Sequence, residues 1–130
     1  MRARARRLEN FRHDVDIRNH RLIADEPRDA GGDDDGPSPQ ELLAASLASC
    51  TAITMEMYAK RKGWDVDGLA VDVEYTPAER GHPTRFELVM TMPAHLSDEQ
   101  IDKLRVIANR CPVHRTLEGE VAFDERVELS

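Results

Sequence analysis

The stretch from Ser38 to Gly63 constrains this chain more than any other. Leu42–Met55 carries no charge over 14 residues, and the segment around it bears helix signals at both ends. Ser38 suits the N-cap, Pro39 the first helical position and Glu41 the third. This is a capping box, in which Glu41 reaches back to the cap amide. Gly63 suits the C-terminal cap, and Lys60, Arg61 and Lys62 place positive charge at the negative end of the helix dipole. These signals predict one helix over 39–62, about 36 Å long at ~1.5 Å per residue. Leu43, Leu47, Cys50, Thr54 and Met57 follow 3–4 spacing. Leu42, Ala45, Ala48, Ala52 and Ile53 make the opposite side apolar or small. A helix apolar nearly all round is a buried central helix, and 130 residues must be arranged around it.

The flanking segments read as strands and one more long helix. Residues 8–27 form two short strands around a turn at Asn19. The alternation of Arg and Ala from Arg2 to Arg6 fits an edge strand or a tail. Arg28–Pro37 holds three Gly, four Asp and a Pro and is a loop. Leu69, Val71, Val73 and Tyr75 alternate with Ala70, Asp72 and Glu74, and Phe86, Leu88, Met90 and Met92 alternate with Glu87, Val89 and Thr91, with a Gly- and Pro-containing hairpin link between them. Ser97 and Gln100 form a second capping box, opening a helix that Pro112 ends or kinks. PVHRTL can add one further helical turn. Val121–Leu129 alternates and predicts a last strand. The order of elements is α+β, with helices on one side of a mostly antiparallel sheet.

Composition narrows the function. A net charge of −7 argues against a nucleic-acid or membrane-surface binder. The 14-residue uncharged run falls short of the ~18 that suggest a membrane span, and no apolar segment follows the basic start as in a secretory signal. A single cytosolic domain over 1–130, binding neither nucleic acid nor membrane, is expected. In a reducing compartment two cysteines are unrelated core residues or a redox pair, not a permanent structural disulfide.

Those two thiols carry the chemical interest. Cys50 taken alone behaves as a small hydrophobe in mid-helix. Cys111 precedes Pro112, so it becomes an N-cap if PVHRTL is helical, a position that favours a thiolate. It also fits the apolar stripe Leu104, Ile107, Cys111. A metal site built from the two thiols with His82, His95 or His114 lacks the tight ligand spacings of dedicated zinc sites, so no metal is expected.

GPSPQELLAASLASCTAITMEMYAKRKGW and the later RCPVHRTLE together resemble the family of osmotically inducible protein C (OsmC) and organic hydroperoxide resistance protein. HRLIADEP followed by a Gly/Asp loop is similar to that family's lead-in to its helix. MEMYAKRKGW looks most like a less characterised branch. The resemblance covers the chain from about His20 to its end. It implies an OsmC-like fold, with antiparallel sheets around two central helices in an intertwined homodimer. It also implies thiol-dependent reduction of a small-molecule organic hydroperoxide, with Cys50 as the attacking thiol and Cys111 resolving it as a disulfide. Arg12 would assist, with Arg18 and Arg21 as substitutes. No bound cofactor is implied, only an external dithiol reductant of lipoyl or thioredoxin-like type. The family's assisting Glu falls at Gln40 here, a departure that leaves Glu41 as the neighbouring carboxylate. A non-enzymatic stress-associated or redox-sensing protein on the same fold is the alternative.

Overall fold

The capped helix forms over the expected span in a computed structural model that describes residues 1–130. α1 is Pro39–Lys62. The Ser38 amide donates to Glu41 Oε1 at 2.9 Å, and the Glu41 amide donates to Ser38 Oγ at 3.2 Å. At the other end Gly63 takes φ 72°, its amide reaches Lys60 O, and the Trp64 amide reaches Ala59 O. That paired closure needs a left-handed residue, which glycine adopts without a Cβ penalty. Contacts group the chain into two compact units, Met1–Ala45 with Glu74–Glu87 and Ser46–Val73 with Leu88–Ser130. Both α1 and the β4–β5 hairpin contribute residues to each unit.

In the first unit β1 (Arg4–Glu9), β2 (Arg12–Ile17) and β3 (His20–Ala24) make an antiparallel sheet in the order β1-β2-β3. β1 takes up the Arg/Ala alternation only from Arg4 and runs on through Leu8 and Glu9, so the first of the two strands expected over 8–27 starts at Arg12 instead, after a turn at Asn10 and Phe11. Asp14 faces Arg6 in the β1–β2 register and is fully buried. Its carboxylate accepts from Arg6 at 3.0 Å and from Arg21 at 2.8 Å. Two guanidiniums on one buried carboxylate satisfy a group that would be costly unpaired. The β2–β3 turn places Arg18 rather than Asn19 in the left-handed region, at φ 56°.

The acidic loop is built around buried Asp25, whose carboxylate accepts the Glu26 and Asp35 amides at 2.7 and 3.1 Å. Gly32 and Gly36 pack backbone on backbone. A Cβ would stand 1.9 Å from Glu26 O and 2.1 Å from Ile23 O respectively, so neither position admits a side chain unless the loop moves.

In the second unit the buried cluster is Met55, Ala59, Leu96, Leu104 and Ala108, with Trp64, Met90 and Ile101 packed against it. α2 (Asp98–Ala108) opens with the predicted Ser97–Gln100 capping box. α3 (Pro112–Glu118) is the predicted short helix, with Cys111 at its N-cap. β4 (Ala70–Thr76) and β5 (Arg85–Thr91) form the predicted hairpin.

Two expectations are corrected. Val121–Leu129 forms no strand, and Phe123, Val127 and Leu129 are almost fully exposed. Alternation prepares a two-faced strand, but a strand also needs a hydrogen-bonded neighbour, and this segment has none in the chain. Nor is α1 buried all round. Only Leu47, Thr51, Met55 and Ala59 are buried, one stripe at fourfold spacing, whereas Ile53 and Met57 are exposed. By length and hydropathy α1 also meets the criterion for a membrane span, which core helices of soluble proteins meet as well.

Candidate redox site

Cys50 lies three turns into α1, and Cys111 lies at the start of α3, 61 residues later. Folding of the second unit brings them together, because α2 ends at Ala108 and Pro112 starts a new helix at once. The two side chains are close enough for each thiol's charge to bear on the other, and both are free thiols. Cys50 is half-buried, so a small molecule can reach it, while Cys111 is fully buried.

Burial pushes the Cys50 thiol above the ordinary cysteine range, and contact with Cys111 pushes the same way. Both follow from the cost of placing negative charge in a poorly solvated place beside another sulfur. Two donors act in the opposite direction: the backbone N–H of Val113 and the hydroxyl of Thr54. Val113 is the second residue of α3, where amides have no intrahelical partner. The sequence suggested that this helix start would serve Cys111. The Cys111 side chain makes no cap bond, and the amide serves Cys50 instead. Thr54 was legible in principle, since a residue four positions after Cys50 shares its face of α1. The Val113 contact was not legible, because it depends on how α3 meets α1.

The other expected site residues have partners of their own. Arg12 donates to Asp35 at 2.7 Å and lies 3.7 Å from Glu9. Glu41 is engaged by the Ser38 amide and hydroxyl, which hold its carboxyl below the usual range. Gln40, beside it, is exposed. The carboxylates of Asp25, Asp33 and Asp35 lie within 4.8 Å of one another, but loop amides occupy Asp25 and Arg12 occupies Asp35. Neighbouring thiols of which one is accessible can take up an oxidant and then close a disulfide.

Comparison with known proteins agrees with this reading of the fold. The family model described as OsmC-like protein matches residues 32–126. No curated protein matches the chain. Among solved structures, it resembles a Psychrobacter arcticus protein named for osmotic stress induction and a detoxification response. The two are 26% identical with a TM-score of 0.76, over 88% of this chain and 85% of that one. An OsmC-like protein from Mycoplasma pneumoniae is 21% identical with a TM-score of 0.75, over 91% and 86%. An organic hydroperoxide resistance protein from Elizabethkingia anophelis is 21% identical with a TM-score of 0.67, over 92% and 89%.

Proposed function

The chain belongs to the OsmC-like protein family, and on that premise we propose that it is a thiol-dependent peroxidase reducing organic hydroperoxides to alcohols. The observation that carries this reading is the contact of half-exposed Cys50 with buried Cys111. The thiolate of Cys50 attacks the terminal peroxide oxygen, the O–O bond breaks, and the alkoxide takes a proton and leaves as the alcohol. Cys50 is then a sulfenic acid. The Cys111 thiol displaces its hydroxyl, water leaves, and a Cys50–Cys111 disulfide forms. A dithiol of lipoyl or thioredoxin-like type returns both thiols by exchange and leaves as its own disulfide.

Val113 N–H and the Thr54 hydroxyl favour the Cys50 thiolate, but burial outweighs them. In this proposal a guanidinium completes the site. Arg12, freed from Asp35, is the candidate, with Arg18, or Arg21 if freed from Asp14, as substitutes, since a guanidinium can hold a thiolate and polarise the departing oxygen. Glu41, already held in its cap, is the weakest of the proposed participants. Apolar side chains near the thiol, among them Leu47 and Ile53, favour alkyl hydroperoxides, which gain about 25 cal/mol per Å² buried. A homodimer is part of the proposal. Exposed Ile53 and Met57 on α1 and the exposed alternation of Val121–Leu129 are surfaces that a second copy would cover. A cytoplasmic location goes with the need for a dithiol reductant.

Consumption of cumene hydroperoxide or t-butyl hydroperoxide with a dithiol tests the reading. Wild type should turn over, and Cys50→Ser should fall to the uncatalysed background. Equal rates in the two proteins end the peroxidase proposal. A non-enzymatic stress-associated or redox-sensing role is then favoured by exposed Gln40 in the usual Glu position and by the raised Cys50 thiol.

A further inference from the structure

Three cations meet at one ring in the second unit. Arg61 lies 5.8 Å from the Tyr58 ring centroid, and Lys62 and Lys103 each lie 5.7 Å from it. Arg61 and Lys62 follow Tyr58 by three and four residues on α1, so the helix itself brings them to the ring. Lys103 comes from α2, and only packing brings it there. Tyr58 packs against the buried cluster, so the platform is fixed. All three cations are exposed, and none is in an ion pair. Glu99, one turn before Lys103 on α2, stays outside ion-pair distance of it. Cation–π attraction is weak at exposed sites. The dipole of α1 favours Arg61 and Lys62 in its last turn, but not a third cation from another helix. In a chain of net charge −7, this is a patch of uncompensated positive charge.

The patch stands on the same helix as Cys50. Tyr58 is eight residues beyond Cys50, about 12 Å along the axis at ~1.5 Å per residue. Lys62 is nine residues beyond Ile53, which puts it on the opposite side of α1, away from the face given to a second copy. Cations spread over the exposed surface of two helices fit another protein surface better than a small enclosed anion. We propose that this patch docks an acidic protein that carries the reducing dithiol and delivers that dithiol to the oxidised Cys50–Cys111 pair. This rests on the peroxidase reading above and names the docking surface for its reductant. One thiolate of the dithiol attacks Cys50, the accessible sulfur, and Cys111 leaves as a thiolate and takes a proton. The second thiol of the reductant then displaces Cys50 from the mixed disulfide. Cys50 takes the second proton, and the reductant leaves as its own disulfide. The cations take no part in these exchanges. They raise the rate of productive encounter.

The test compares wild type with Lys62→Gln/Lys103→Gln, two exposed positions outside the redox site. Cumene hydroperoxide is the oxidant. The reductants are dithiothreitol, an acidic lipoylated domain kept reduced by its dehydrogenase, and an acidic thioredoxin kept reduced by its reductase. With dithiothreitol, which is uncharged, the two proteins should turn over at the same rate. With at least one acidic protein, wild-type kcat/KM for the reductant should fall as salt rises. The double variant should lose about tenfold in that kcat/KM, through KM and not kcat. Lys62→Arg/Lys103→Arg keeps both charges and should restore the wild-type value. Turnover with dithiothreitol but with neither acidic protein overturns the docking assignment alone. So does a kcat/KM that neither salt nor the Gln substitutions change. A loss of the same size with dithiothreitol overturns it too, because the charges then act on the fold or the thiols and not on a partner. A wild type idle with all three reductants overturns the peroxidase reading, and the docking assignment with it.

Discussion

Oxidation of the thiol pair should stabilise the protein measurably. One equivalent of cumene hydroperoxide is added to reduced protein without any dithiol. If Cys50 and Cys111 join, the bond closes a loop of 61 residues. In the chain-entropy view, closing a loop of that length removes unfolded-state freedom worth about 4 kcal/mol at 25 °C. Strain usually erodes such gains, but here the two thiols are already neighbours before oxidation, so the backbone has little distance to move. With about 2.1 cal/mol/K per residue of unfolding entropy, 130 residues convert that gain to a rise in Tm of about 15 °C. The assay is a pair of thermal melts, with thiol counting and intact mass on the same samples. Both thiols should be lost, the mass should fall by two hydrogens without dimer cross-linking, and a reductant should reverse the shift. Cys50→Ser and Cys111→Ser should not shift. A rise below about 5 °C, or a fall, in fully oxidised protein would refute the claim that the native fold holds these thiols ready for the bond.

Three more outcomes are expected. Cys111→Ser should stop the reaction at the sulfenic acid, so a dimedone adduct should accumulate on Cys50 after peroxide; no adduct means that Cys111 does not resolve Cys50. Thr54→Val removes a donor that lowers the Cys50 titration, so the midpoint of iodoacetamide alkylation against pH should move up, and Thr54→Ser should restore it; an unmoved midpoint rules out the contact. Asp14 is held below the ordinary carboxylate range by Arg21 and then Arg6. Its contribution to stability is therefore present above about pH 4, the unfolded value, and is lost as pH falls through the lower folded value. Urea melts across that window should show a slope that Asp14→Asn reduces, and an equal slope in both proteins would contradict the ion triad.

Much of the fold was legible because its signals are local. The Ser38 and Ser97 capping boxes, the Gly63 closure and the period-2 strands of the hairpin each depend on residues a few positions apart, and each formed where its signal lay. The helix start at Cys111 was likewise written in Pro112. Local signals fail where an element needs a distant neighbour. Val121–Leu129 has the alternation of a strand but no partner within the chain. Likewise α1 has apolar residues all round but buries only one stripe.

By itself, then, the sequence determined a long capped helix carrying one thiol and a short helix opened by another, since caps and periodicity are properties of neighbouring residues. Only the tertiary structure decided that the two thiols are neighbours and that the Val113 amide at the start of α3 serves Cys50 rather than Cys111. It alone brought Lys103 of α2 to the Tyr58 ring beside Arg61 and Lys62. The physical reason is the same in each case. Contacts between groups 40 or more residues apart are fixed by packing against a common core, here Met55, Leu104 and Ala108, and no local pattern encodes which side chains that packing brings face to face.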